Sequence, residues 1–232
     1  FQPQWWVRAL GPYIHACRRI RAFLLSAEKI MWKETVTLSV LMVLYDYLKA
    51  PIDRLYFTNP WRPLLGIRNT FRDVIHGFSE HDVKNYPGLL LVKLHYNKIC
   101  EEFRKVSPTL EKKYYHDLDP WFEKNGGYYY YKVKDFPLLN SLVNQIPCIY
   151  KDTATFAVIE GPMVLHPHRA ESNELLRYQL TIQGDGDCTL YTDRGGFVQN
   201  EGEDFFFDHG RYHELDKTGP GRRVLLILDV HR

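Results

Sequence analysis

The second half of this chain is cut into short apolar runs that suit strands and are too brief for packed helices. Beyond Pro120 the runs Tyr128–Val133, Ala154–Ile159, Leu175–Ile182, Thr189–Thr192, Asp204–Phe207 and Val224–Val230 are rich in β-branched and aromatic residues, and turn-prone clusters such as Gly184-Asp185-Gly186-Asp187 and Gly195-Gly196 separate them. Several short strands with regular turn signals predict a barrel or a two-sheet jelly roll. The first half has a different texture. From Tyr13 to about Leu48 there is no proline or glycine, and Val36, Val40, Val43, Leu44 and Tyr47 recur at helical spacing, which predicts one long or two shorter amphipathic helices stopped by Pro51. Phe57 to Gly66, with Asn59, Pro60 and Pro63, reads as an irregular connection; a helix is expected around Asn69 to Phe78 and another from Pro87 to Pro108. The expected class is α+β, with a helical region over 1–110 and a β-rich domain over 111–232. No internal repeat or low-complexity tract interrupts either half.

A chain of 232 residues that is 45% hydrophobic and 15% aromatic buries a substantial core, which excludes a disordered protein. Its net charge of +2, from 30 basic and 28 acidic residues, gives no electrostatic reason to expect a nucleic-acid partner. The charge is unevenly spread: residues 1–106 carry 16 basic against 9 acidic side chains, the remainder 14 against 19. The four cysteines, Cys17, Cys100, Cys148 and Cys188, form no C-x-x-C pair, so they read as buried free thiols in a reducing, intracellular setting. The longest strongly apolar stretch free of charge, Thr35–Tyr45, has 11 residues, whereas a spanning helix needs about 20. The chain starts at Phe1 rather than Met, so a targeting segment or anchor upstream is compatible with it.

Four of the ten histidines fall at two places in the β-rich half. His166 and His168 bracket Pro167 at the end of one run, and His209 and His213 follow Phe205-Phe206-Phe207. Neutral imidazole is a good ligand for Fe(II), and strands meeting at a barrel mouth can bring two rings to one ion. By spacing alone, such a pair is more often a surface or hydrogen-bonded feature than a metal site.

Several segments add a pattern to those histidines: Gln145-Ile146-Pro147, Pro167-His168, Leu176-Arg177, Gly202 to Phe207 followed by Asp208, Tyr212-His213-Glu214, and Arg223 ahead of Leu225 to Val230. His168 precedes Arg177 by nine residues and His213 precedes Arg223 by ten. In these features the chain from about Trp121 onward resembles the aspartyl/asparaginyl β-hydroxylase domain of the Fe(II)/2-oxoglutarate oxygenases. The resemblance implies a double-stranded β-helix, jelly-roll or cupin-like, for the C-terminal domain. It implies His168 and His213 as Fe(II) ligands, and Arg177 and Arg223 as residues that bind 2-oxoglutarate, with dioxygen as the other co-substrate. Arg223 would meet the distal carboxylate as a two-point fork that Lys cannot copy. The substrate implied is a protein Asp or Asn side chain or a lipid acyl chain.

The resemblance also marks departures. Most oxygenases of the wider class carry an acidic residue two places after the first histidine; here that place is Ala170, and Glu171 stands one residue too far. The β-hydroxylase family lacks that ligand too, and water can fill the position. His166 and His209 are open as substitute ligands, but the preferred expectation for each is to support the ligands or line the mouth. Where the family has a Ser eleven residues before the first metal histidine, this chain has Ala157, and where it has a His two residues after Leu-Arg, this chain has Gln179. Gln179 still donates a hydrogen bond, Ala157 does not, and Thr155 on the same strand face can compensate. Loss of one such bond costs about 0.5–3 kcal/mol, which weakens co-substrate binding without abolishing it. These departures motivate a second expectation, a structural or interaction subunit of a larger, membrane-associated assembly. Trp5, Trp6, Arg8, Arg18, Arg19 and Arg21 suit a membrane surface, or equally a core or partner contact. Tyr114-Tyr115 and Tyr128 to Tyr131 lack the accompanying positive charge for stacking on bases and read as strand packing.

Overall fold

The structure, a computed structural model, describes residues 31–48, 59–76, 82–115, 127–170 and 172–232. Trp5, Trp6 and the arginines up to Arg21, Cys17, the helical reading before residue 31, the stop at Pro51, Glu171 and the segment around Trp121 lie outside these residues. The helices are α1 (31–48), α2 (Arg62–His76), α3 (Pro87–Leu94), α4 (Tyr96–Val106) and α5 (Pro137–Asn144). The strands are β1 (Lys113–Tyr114), β2 (Tyr128–Lys132), β3 (Ile149–Glu160), β4 (Met163–His168), β5 (Leu175–Gln183), β6 (Asp185–Thr192), β7 (Gly195–Asn200), β8 (Asp204–Phe207), β9 (His213–Lys217) and β10 (Arg222–His231).

All strand pairings are antiparallel and form two sheets, ordered β1-β2-β3-β10-β5-β8 and β4-β9-β6-β7. From β3 to β10 the chain passes repeatedly between the two sheets, which is the winding of a double-stranded β-helix. Side-chain alternation sorts the residues. In β3, Phe156 and Val158 join a core with Leu89, Ile99, Phe103 and Leu139 from the helices, whereas Ile159 packs with Cys188, Leu190 and Leu215 of the opposite sheet. The order is therefore helices, sheet, sheet. Strands β3 and β10 are covered on both faces, which is why β10 is an almost unbroken apolar run. Each fully buried Leu or Phe in these layers stabilises by about 1.5–3 kcal/mol.

The helices depart from expectation at three places, two of them in the helical half. α2 begins at Arg62, inside the stretch expected to be irregular, because Pro63 falls in a first turn where its missing N–H costs nothing. The preceding turn is set by the Asn59 side chain, which accepts from Trp61 N (3.0 Å). The helix expected from Pro87 to Pro108 is two, divided at His95, whose N–H is shared between the Leu91 and Val92 carbonyls (3.2 and 3.1 Å). α5 was not expected; its first turn is capped by Glu102 of α4, whose carboxylate accepts from Leu138 N (2.7 Å) and Leu139 N (3.0 Å).

α1 and α2 are pinned to the β-rich half through buried charge. Asp46, 2% exposed, accepts two bonds from Arg169 (3.1 and 2.9 Å) and pairs with Arg62 (2.9 Å). Asn173 donates to Asn69 O and Asp73 (both 2.9 Å), and Arg232 pairs with Asp73 (3.5 Å) and Asp208. Cys100 and Cys188 are buried free thiols, and Cys148 is a half-buried one. Among the described residues, no helix is long and apolar enough to cross a membrane.

Candidate active site

The end of β4 and the start of β9 are paired so that His168 and His213 face each other across the ladder, with ring centroids 4.4 Å apart. Each ring is oriented by its own backbone. His168 Nδ1 lies 2.7 Å from the His166 carbonyl and His213 Nδ1 lies 3.0 Å from the Arg211 carbonyl. A carbonyl only accepts, so Nδ1 carries the proton in both rings and Nε2 keeps its lone pair. Burial, reinforced by the neighbouring His168, pushes the His213 pKa down to about 3, which keeps the ring neutral at physiological pH. His209 joins the cluster from the turn after β8, its ring 4.9 Å from that of His213; loss of solvent, then Arg177 and the two other histidines, hold it well below the usual range. His209 thus stands beside the two candidate ligands, and its carbonyl accepts from Ala170 N (3.0 Å).

The depressed His213 pKa has a consequence for metal-free protein. With a folded value near 3 and an unfolded value near 6.5, the unfolded chain binds the proton first, so stability contributed by the neutral ring is lost as pH falls from about 6.5 toward 3. Thermal melts of chelator-treated protein across that window should show this decline, and His213→Gln should reduce it, with the part contributed by His209 remaining.

The arginines differ in how their charge is met. Arg177 forms a two-point ion pair with Asp229 (2.8 and 3.0 Å), its register partner on β10; burial alone would lower its pKa, but the carboxylate outweighs burial and raises it. Arg223, 2% exposed at the start of β10, has no carboxylate partner among the described residues. Its Nε donates to Gln199 Oε1 (2.8 Å), which also accepts from Cys188 Sγ (3.3 Å), while Gln199 Nε2 donates to Gln179 Oε1 (3.1 Å). Burial, unopposed by an acid, pulls the Arg223 pKa down. Arg62, Arg169 and Lys217 are buried as well, yet each has a carboxylate beside it. A buried guanidinium without a counter-ion costs several kcal/mol, and an incoming carboxylate removes that cost.

Between the two arginines the inner face of the first sheet carries Thr155 and Ala157. Ala157 packs with Leu225, Ile227 and the rings of Tyr115 and Tyr128, and Thr155 interacts with the Tyr115 hydroxyl. These tyrosines were read from sequence as packing only; the two-residue alternation of Tyr128 to Tyr131 was the signal that Tyr128 and Tyr130 leave the helix-facing side. Gln199, missed from sequence, is the link between Arg223 and Gln179. It also lines a cavity of about 270 Å3 between the free edges of β8 and β7, with Gln179, Thr181, Leu190, Phe197 and Phe205; the histidines do not line it. Among the described residues, no three His, Cys, Asp or Glu side chains gather as for a metal ion, so the donors that face one another are the two imidazoles.

The fold is a double-stranded β-helix of the cupin, jelly-roll kind behind a helical layer. The model of the aspartyl/asparaginyl beta-hydroxylase family matches residues 96–232, more than half of the chain, and the chain belongs to that family. No curated protein matches it. Among solved structures it is similar to the Schizosaccharomyces pombe Cnp3 cupin domain (TM-score 0.31, 13% identity, covering 37% of this chain and 55% of that one). It is similar also to a cupin-superfamily sugar phosphate isomerase from Silicibacter pomeroyi (TM-score 0.37, 13% identity, 54% and 73% covered) and to a cupin domain from Bordetella pertussis (TM-score 0.29, 15% identity, 38% and 93% covered). The chain thus spans about half the length of the Cnp3 chain.

Proposed function

We propose that this protein is an Fe(II)- and 2-oxoglutarate-dependent hydroxylase. His168 and His213 hold the metal through Nε2, and Arg223 binds the distal carboxylate of 2-oxoglutarate as a fork. The observation that carries this reading is the pairing of two imidazoles with fixed tautomers and a buried guanidinium that lacks a counter-ion, all facing the space between the two sheets. When bound, Fe(II) with dioxygen and 2-oxoglutarate supplies the oxidising power to place one oxygen atom on an unactivated C–H bond, the co-substrate leaving as succinate and carbon dioxide. The chain's own residues position and shield. Arg177, held by Asp229, keeps positive charge beside the histidines and favours an anionic ligand there. Gln179 fixes Gln199, and Gln199 aims Arg223. Thr155 supports the hydroxyls that border the same space. The family points to a protein Asp or Asn side chain as the substrate class, with a lipid acyl chain as the other.

A second reading is an interaction subunit of a larger, membrane-associated assembly, docked through the helical region 1–110 with 111–232 as its folded body. The apolar surface that α1, α2 and the turn ahead of α2 leave exposed, including Trp32, Leu38, Trp61, Phe71 and Val74, favours it.

Succinate release by purified protein with Fe(II) and 2-oxoglutarate separates the two, together with Mn(II) binding followed by electron paramagnetic resonance. The hydroxylase reading expects Mn(II) to bind and succinate to form even without substrate, with both signals falling at least about 100-fold in His168→Ala. Wild-type protein that binds no divalent metal would sink it in favour of the interaction subunit.

A further inference from the structure

We propose that Tyr128, steadied by Tyr115, donates a hydrogen bond to the same carboxylate that Arg223 binds, a role the methyl side chain of Ala157 cannot fill. The proposal rests on the hydroxylase reading above and adds residues to its co-substrate pocket. β2 pairs with β3 so that Tyr128 opposes Ile159 and Tyr130 opposes Ala157. Tyr129 and Tyr131 point to the helix layer, where they join its core, so Tyr128 points between the sheets. There it packs against Ile159 on one side and Ala157, Leu225 and Ile227 on the other. Tyr115 lies flat on it, with ring centroids 4.0 Å apart and planes at 21°, and is 5.0 Å from Tyr130.

The chemistry of the pair is polar at its tip. The Tyr115 hydroxyl interacts with Thr155 and with the Tyr128 hydroxyl, so three hydroxyls form a chain across the inner face. Tyr128 lies within electrostatic reach of both Arg223 and Arg177. The space lies beside the Arg223 guanidinium, which has no carboxylate partner among the described residues, beside Arg177, whose charge Asp229 meets, and beside a chain of neutral hydroxyls; at its Arg223 end it offers donors, the complement of an oxyacid. Burial holds both phenols in the protonated, donating form. Ala157 fits the same picture sterically, because its short side chain leaves room for the two stacked rings that replace it as the polar wall.

The test is Tyr128→Phe in the full chain, which removes one oxygen and keeps the ring. Measured by calorimetry with Mn(II) bound, 2-oxoglutarate affinity should fall about 10-fold. Mn(II) affinity should stay at the wild-type value, the melting temperature should fall slightly because the Tyr115 hydroxyl loses a partner, and in turnover the KM for 2-oxoglutarate should rise while kcat holds. Tyr115→Phe, which leaves the Tyr128 hydroxyl but removes its support, should give a smaller loss, about 3-fold. Wild-type affinity in Tyr128→Phe would overturn the proposal and reduce the rings to packing, leaving the hydroxylase reading intact. Wild-type protein that binds Mn(II) and no 2-oxoglutarate would overturn the hydroxylase reading itself, and this proposal with it.

Discussion

Asp46→Asn should destabilise the protein by about 3–5 kcal/mol, although residue 46 lies far from the strands in sequence. Asp46 is the shared counter-ion of Arg62 and Arg169, and all three are almost completely buried. An amide still accepts a hydrogen bond but cannot supply the negative charge that Arg62 and Arg169 share in this low-dielectric setting. For a chain of this size that loss corresponds to a fall in melting temperature on the order of 10 °C. Because Arg169 follows His168 directly, chelator-treated and Mn(II)-loaded samples should both shift. A change of less than about 1 kcal/mol in urea titration would show that the cluster is hydrated and contributes little.

Arg223→Met should act in opposite directions on stability and on binding. Without ligand, the variant replaces an uncompensated buried cation by an apolar side chain of similar length, which should stabilise the apo protein by about 1–3 kcal/mol. With ligand, the carboxylate loses its counter-charge, and affinity for 2-oxoglutarate should fall by at least about 30-fold, the equivalent of 2 kcal/mol or more. Arg223→Lys keeps the charge and loses the fork, so its affinity should lie between. A gain in stability joined to a loss of binding is the mark of a residue kept for function. If melting temperature drops and 2-oxoglutarate still binds as in wild type, Arg223 is a structural residue held by Gln199.

The parts of the fold that were legible in the sequence are those where local pattern and tertiary environment agree. The six apolar runs of the second half all lie in or overlap strands, and the run Val224–Val230 was readable because β10 is covered on both faces. The strands missed are polar or carry residues that signal turns. β4 contains Pro167 and β7 opens with two glycines, but both strands are sheet edges, where a missing ladder hydrogen bond is tolerated. The register between β4 and β9 shifts between Leu165 and His168, across that proline. β9 was hidden because the residues it turns inward are His213, Leu215 and Lys217, and Lys217 is buried only by virtue of Asp187 (2.7 Å), thirty positions away. α5 escaped for a similar reason, its cap coming from Glu102 on another helix.

The candidate site divides in the same way. His168, His213 and Arg223 are singled out by the family resemblance; residue type and spacing alone leave the histidines open and give Arg223 no role. The partner of Arg177 on β10, the Gln199 link beneath Arg223 and the inward turn of Tyr128 depend on which strands become neighbours, and no short window of sequence carries that information.

The contacts of Asn173 and Arg232 with α2 bear on how this protein can be handled in the laboratory. A fragment trimmed to the family-matching residues 96–232 would keep every strand from β1 to β10, yet it would strip Asp73 from both of those side chains and Asp46 from Arg169. The helices ahead of the sheets thus supply counter-charges to the rim on which His168 and His209 stand, and recombinant pieces intended for ligand work should retain them.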